Sequence, residues 1–314
     1  TGVQTLQGVP LLLLACCWLA ARILLALGDA VPLLWAAIAD CLFNALLLAA
    51  VACPVFRVRQ YRQIGILSKV ALLLMANLLF YAGMLGLFPP GTRAGLYTGI
   101  YMIIALILVM ARRVLPFFIE KGLAVPALKN HGWLDVSSLV LFLVFWIVDI
   151  WRPDSAAVAA LAGLLCVLHG VRLAGWYRPG IMREPMLWVL FLAYAALLLG
   201  FALKAGVFVF GLSPMLALHA FTYGGIGLFT LGMMVRVTLG HTGRNIQEPP
   251  VVVPLMFGML AGGTLVRVLL PLLDPIHQSF WIAVAGCLWI LPFSMFLASF
   301  LPMLLQPRAD GLPG

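Results

Sequence analysis

The side chains able to do chemistry are few and concentrated. Five histidines occur in 314 residues, and two of them bracket one apolar segment: His219-Ala-Phe-Thr-Tyr223-Gly-Gly-Ile-Gly227, followed by Met233-Met234-Val-Arg236-Val-Thr-Leu-Gly-His241-Thr-Gly-Arg244. On an ideal α-helix, 22 positions place His219 and His241 about 40° apart around the axis and about 33 Å apart along it. Tyr223, Thr230, Met233 and Met234 then fall within about 60° of the same direction, forming one stripe of donors. Imidazole suits haem iron and copper, and a thioether favours Cu(I). At that separation the two histidines cannot share an ion, so ligation by both implies two sites, one near each membrane surface. The plainer alternative is a packing role for His219, a helix-end cap for His241, and ordinary packing for the Met and Tyr residues.

His169 lies one turn before Arg172, where an imidazole could ligate iron or copper and a guanidinium could pair with a haem propionate. Its depth is closer to that of His241 than to that of His219, so His169 and His241 could serve one cytoplasmic-side site; the alternative is a polar pair reaching the interface. His131 and His277 fall in loops and read as solvated. Asp40 and Asn44 are one turn apart, as are Asn77 and Tyr81. A carboxylate at mid-membrane must be protonated, paired or hydrated, so this group could carry protons or substrate, or only tie helices together. Arg22 and Lys204 read as snorkelling side chains. The six cysteines (16, 17, 41, 53, 166 and 287) sit in apolar runs without CxxC spacing and read as small packed residues. No Walker loop, zincin motif, nucleophile elbow or dinucleotide fingerprint occurs.

These side chains must be positioned by membrane helices. Hydrophobic residues make up 64% of the chain and charged ones 9%, with mean hydropathy +1.13. Soluble domains carry about 25% charged residues, so a soluble, disordered or disulfide-knotted class is excluded. Ten stretches are long and apolar enough to span: 8–28, 31–54, 64–88, 94–115, 133–151, 155–176, 185–210, 214–240, 250–272 and 276–303. The pattern predicts an all-α polytopic bundle over 1–314, as one integral membrane domain with no soluble domain. Ser213-Pro214 reads as an N-cap followed by proline at the first helical position. Pro254 and Pro292 are expected to kink their helices. Glycine pairs at Gly95/Gly99 and Gly258/Gly262 permit close helix packing.

The net charge of +9 reflects topology rather than nucleic-acid binding. The basic residues divide fourteen to five between alternate sides, with Arg57, Arg112, Arg113, Lys121, Arg172, Arg236, Arg244 and Arg308 among the fourteen. The minority are Arg22, Arg93, Arg152, Lys204 and Arg267. The richer side is expected to be cytoplasmic, placing both ends of the chain there.

The segment Arg236-Val-Thr-Leu-Gly-His241-Thr-Gly-Arg244 resembles the signature of the NnrS family. Arg112-Arg113-Val-Leu-Pro116-Phe-Phe and His169-Gly-Val-Arg172-Leu-Ala-Gly-Trp176 resemble it too, in family order. The resemblance implies a bacterial inner-membrane protein containing haem, of b type, and copper, associated with nitric oxide metabolism and tolerance of nitrosative stress. It also implies about twelve spans, with Thr1-Gly2 resembling the end of an early Trp-Thr-Gly motif, so that two helices and their histidines would precede this chain. Tyr81 and Phe191 stand where the family pattern often has histidine.

The expected site therefore draws on His169, His219, His241, Met233 and Met234 for metal and on Arg113, Arg172, Arg236 and Arg244 for haem propionates, with nitric oxide or another small diatomic as ligand. A metal-independent transporter or proton conductor built on Asp40, Asn44 and Asn77 is the rival expectation, and a purely structural subunit a third. No convincing internal repeat supports the transporter.

Overall fold

The structure is a computed structural model that describes residues 6–129 and 131–311. Thr1-Gly2 lies outside the described residues. Among the described residues, ten helices are long and apolar enough to cross a membrane. They are α1 (Val9–Ala26), α2 (Leu33–Arg57), α3 (Ile64–Met84), α4 (Gly91–Leu123), α5 (Gly132–Trp151), α6 (Ala156–Trp176), α7 (Pro185–Phe210), α8 (Pro214–His241), α9 (Val252–Leu273) and α10 (Gln278–Leu305). Every expected span is present. In lipid the backbone must satisfy its own hydrogen bonds, so apolar length alone dictates helix.

Local signals hold in part. Ser213 caps α8, its hydroxyl accepting from the Met215 amide at 3.4 Å, with Pro214 in the first turn. Ser155 does the same for α6, accepting from Val158 at 3.3 Å. Pro254 does not interrupt α9: it falls in the first turn, where its missing N–H would have had no intrahelical partner. Pro292 lies inside α10. The fourth helix continues to Leu123, past Pro116 and beyond the apolar window that ends at residue 115. Hydropathy marks where lipid ends, whereas the hydrogen-bonded helix runs on into the polar zone.

The chain divides into two compact units, residues 1–106 and 107–314. In the first, α1, α2 and α3 pack in sequence through short connections. Gly95 lies against α3 so closely that a Cβ there would come within 2.7 Å of the Phe80 Cα, while Gly99 would meet only Ala76 at 4.0 Å. In the second unit, α6 packs on α7 and α9 on α10. The Gly258/Gly262 pair meets nothing within 4 Å and makes no close helix contact.

The eighth span is not a uniform α-helix. Residues Ala220–Gly227 form a π-helical segment between two α-helical parts. Such segments are rare and mostly confined to single turns at functional sites. Gly224 and Gly227 allow it: a Cβ at Gly224 would meet the Ala196 Cβ at 2.6 Å, and one at Gly227 would meet the Trp289 ring at 2.6 Å. The wider π turn offsets the rotation assumed for an ideal helix, so the expected single stripe is broken. His219 faces Arg267, Tyr223 donates to the Ala285 carbonyl at 2.8 Å, Thr230 is exposed, and Met233 faces a cavity with His241.

Candidate functional site

Three arrangements in the second unit involve histidine. The first is a polar node in the apolar interior, built by α5, α6 and α7. Arg172 is buried and donates to Asp135 at 2.8 Å, Ser138 at 2.9 Å and the Leu134 carbonyl at 3.0 Å. Asp135 also pairs with Arg112 at 2.9 Å. The other Arg172 amino group points at Tyr194 Oη (3.2 Å) and at His169 Nδ1 (3.1 Å), and Tyr194 Oη lies 2.6 Å from the same Nδ1. The His169 ring stacks on Phe201 at 5.8 Å and 7°. Its Nε2 is buried without a partner. Arg172 is thus a hub of a closed network rather than a free cation, and no contact joins His169 to His241.

The second arrangement lies toward the other end of α8. Arg267 of α9 donates to His219 Nε2 at 2.9 Å. Arginine only donates, so this nitrogen is an acceptor already in use, and a metal there would have to displace a guanidinium.

The third is a cavity of about 790 Å³ at the basic-rich end of the unit. Its walls come from the extension of α4 (Phe117, Phe118, Lys121, Gly122), the start of α7 (Glu184, Met186, Leu187), the end of α8 (Met233, Arg236, Val237, Gly240, His241), the segment 246–248, and Arg308. Its size falls in the range of small-molecule and cofactor sites. His241 is exposed, and its ring makes no hydrogen bond among the described residues. Arg236 stacks its guanidinium 3.9 Å over the Phe118 ring and donates to the Met186 carbonyl at 2.9 Å; its buried Nε has no partner, and among the described residues no carboxylate forms an ion pair with it, although Glu184 and Glu248 line the same cavity.

The tail closes one side of this cavity. Ala309 donates its amide to the Thr242 carbonyl at 2.9 Å, Arg244 reaches Gln306 at 3.4 Å, and Arg308 pairs with Asp310 at 2.6 Å. Gly243 (φ 71°) lies beneath: a Cβ there would stand 2.6 Å from the Asp310 carboxyl carbon. The Thr242-Gly243-Arg244 triplet therefore acts as the seat of the tail.

The structure thus brings His241, Met233 and Arg236 to one cavity. Met234 is half-buried outside its lining, Arg113 is exposed, and Arg244 is committed to Thr242 and Gln306. Among the described residues no three His, Cys, Asp or Glu side chains gather tightly enough to hold an ion. A single uncommitted imidazole with a thioether, an uncompensated guanidinium and an aromatic wall fits a haem, whose porphyrin supplies the equatorial donors, better than a bare ion needing three protein ligands. His131 and His277 are exposed, and His277 Nδ1 bonds Asp274 at 2.9 Å.

In the first unit Asp40 is fully engaged: one carboxylate oxygen pairs with Arg22 and the other accepts from Tyr81 at 3.0 Å. Asn44 donates to the Asp40 carbonyl at 2.8 Å within its own helix, and the Asn77 amide nitrogen has no partner. The snorkelling expected of Arg22 is replaced by this pairing. The same correction applies to Lys204, which is buried and pairs with Asp149 at 2.8 Å and Asp154 at 3.3 Å. A low-dielectric setting gives each cation a stronger reason to meet its carboxylate than to reach for the interface.

Tyr194, Asp135 and Asp149 were not singled out from sequence. The signal was available for the two acids: both lie in one apolar span, and a carboxylate there demands a partner.

No curated protein and no solved structure is significantly similar to the chain. The family profile described as NnrS protein matches residues 1–308, nearly the whole length. This multi-pass membrane protein, with its His241-Thr242-Gly243-Arg244 seat beside a ligand-sized cavity, belongs to the NnrS family.

Proposed function

We propose that the chain is a haem- and copper-containing inner-membrane protein that binds nitric oxide or a similar diatomic and so takes part in nitric oxide metabolism or nitrosative-stress tolerance. One observation carries the reading: His241, Met233 and the unpaired Arg236 line one cavity of about 790 Å³. Family membership is consistent with it. In this reading His241 offers an imidazole nitrogen to the metal and Met233 its thioether, while Arg236 compensates a propionate. The bound metal supplies the orbital chemistry that captures a diatomic.

The protein's own residues do the remaining work. Phe118 holds the Arg236 guanidinium by cation–π contact and so fixes it in the wall of the cavity. Phe117, Leu187 and Val237 supply apolar contact for a flat ring system. Arg308 and the tail limit access from one side. His219 Nε2 is taken by Arg267, and neither His219 nor His169 lines the cavity, which leaves His241 as the imidazole within it. One imidazole and one thioether do not make a copper site beside a haem, so copper would need further donors, and both metals must be counted. The basic-rich end, where Arg308 also lies, is assigned to the cytoplasm by the positive-inside rule.

The test is haem and copper content of the full chain in lipid. A Soret band or stoichiometric copper is expected, with His241→Ala weakening retention by about tenfold or more and His219→Ala leaving it intact. Absence of both metals from the loaded protein would defeat the reading.

A further inference from the structure

A groove of about 400 Å³ runs between α1 and α2 in the first unit and shares no residue with the cavity that carries the function proposed above. The two helices are tied at one end, where Arg22 pairs with Asp40 and the Cys17 thiol approaches the Ala39 carbonyl at 4.0 Å. Toward the other end, Leu11 and Leu14 of α1 and Leu47, Val51, Pro54 and Val58 of α2 line the groove, and Ala50 adds only a methyl group to its wall. On an ideal helix Leu47 and Val58 lie about 16 Å apart along the axis, about half the depth of the hydrocarbon layer. The groove thus has the length of one leaflet, which is the length of one acyl chain.

Its outer end is basic. The run Arg57-Val58-Arg59-Gln60-Tyr61-Arg62 puts three arginines in six residues, and no acidic residue occurs between Asp40 and Glu120. Val58 and Gln60 line the groove, with Arg59 between them in the chain. Arg57 and Arg59 are exposed, and among the described residues neither side chain makes an ion pair or hydrogen bond. The helix closes here by a Schellman motif: the Gln60 N–H donates to the Val55 carbonyl at 3.0 Å and the Arg59 N–H to the Phe56 carbonyl at 3.2 Å. Arg59 holds φ 52°, the left-handed position that glycine usually fills. The positive-inside rule accounts for basic residues anywhere at this end, but not for an apolar groove of leaflet length that ends on them.

We propose that this groove binds an anionic phospholipid, with one acyl chain between α1 and α2 and the headgroup phosphate on Arg57 and Arg59. Guanidinium donors pair with phosphate oxygens, and the apolar walls hold the chain. A zwitterionic lipid brings the same chain but sets its own cation beside the phosphate, so it binds more weakly.

The test is native mass spectrometry of the full chain in detergent, with added phosphatidylglycerol or phosphatidylcholine of equal chain length. Phosphatidylglycerol should be retained in preference. Arg57→Gln and Arg59→Gly should each weaken its retention about 5-fold and leave that of phosphatidylcholine unchanged. Glycine suits the left-handed cap, so Arg59→Gly removes the charge without straining the fold. Ala50→Trp fills the groove and should weaken both lipids; Val51→Trp replaces it if that variant does not fold. Lys129→Gln, at an exposed cation of the second unit, should change neither. Equal retention of the two lipids, a preference that survives both arginine substitutions or falls as far with Lys129→Gln, or retention indifferent to the groove-filling variants would overturn the proposal. Retention of neither lipid would overturn it too, as expected if a second copy or another segment of chain fills the groove.

Discussion

Arg267 Nη2 lies 2.9 Å from His219 Nε2, so a guanidinium donates to an imidazole across the contact between α8 and α9. Two groups that are both able to carry positive charge meet here as donor and acceptor, which keeps the imidazole neutral. Removing the donor should expose its partner. Arg267→Leu is expected to cost about 1–3 kcal/mol, the range for leaving a buried acceptor without its donor. Thermal unfolding in detergent measures it, and an unchanged midpoint would show that the contact contributes nothing.

The Lys204–Asp149 pair is buried on both sides, at 4% and 0% side-chain exposure. Breaking one partner leaves an uncompensated charge. Lys204→Met should therefore destabilise the protein by about 3–5 kcal/mol. The double variant Lys204→Met with Asp149→Leu should recover most of the loss, because an apolar pair carries no desolvation cost. A double variant as unstable as the single one would contradict this.

The tail offers a proteolytic test. Asp310 holds Arg308 and packs over Gly243, while Ala309 bonds Thr242. Asp310→Ala should speed tryptic cleavage after Arg308 by about 2- to 5-fold, the factor matching a surface ion pair of about 0.5–1 kcal/mol. Gly243→Ala should act in the same direction, since it strains a left-handed backbone and pushes Asp310 aside. Equal cleavage rates in wild type and both variants would remove the tail as a cover of the cavity.

A pH dependence follows from the end of α9. Asp274 accepts from Trp281 Nε1 at 3.1 Å and from His277, and these bonds, the Trp281 one foremost, hold its carboxyl below the usual 3.8. A depressed folded value stabilises the protein above the unfolded carboxylate range and loses that stabilisation as pH falls through the folded value. Asp274→Asn should thus be less stable than wild type at neutral pH, and the two should converge in strong acid. A gap that persists there would mean the bonds do not depend on the ionised form.

The ten spans were legible because the bilayer tests only length, apolarity and internal hydrogen bonding, all of which are local. The cap at Ser213 was legible for the same reason. The geometry of the eighth span was not: the periodicity of 100° per residue fails through Ala220–Gly227, where glycines pressed against Ala196 and Trp289 permit a π turn. Candidate residues could be named by type, yet only one of the expected imidazoles, His241, reaches the cavity, together with Met233 and Arg236. The wall opposite them comes from the part of α4 beyond Pro116, which hydropathy does not mark.

What the sequence determined by itself is thus the membrane class, the spans and the short list of groups too costly to bury without purpose. Tertiary structure alone decided who meets whom: Arg22 with Asp40, Lys204 with Asp149, Arg172 with Asp135, Arg267 with His219. Apolar length is a property of one segment, whereas the partner of a buried charge is a property of neighbouring helices, set by packing between residues as far apart as His219 and Arg267.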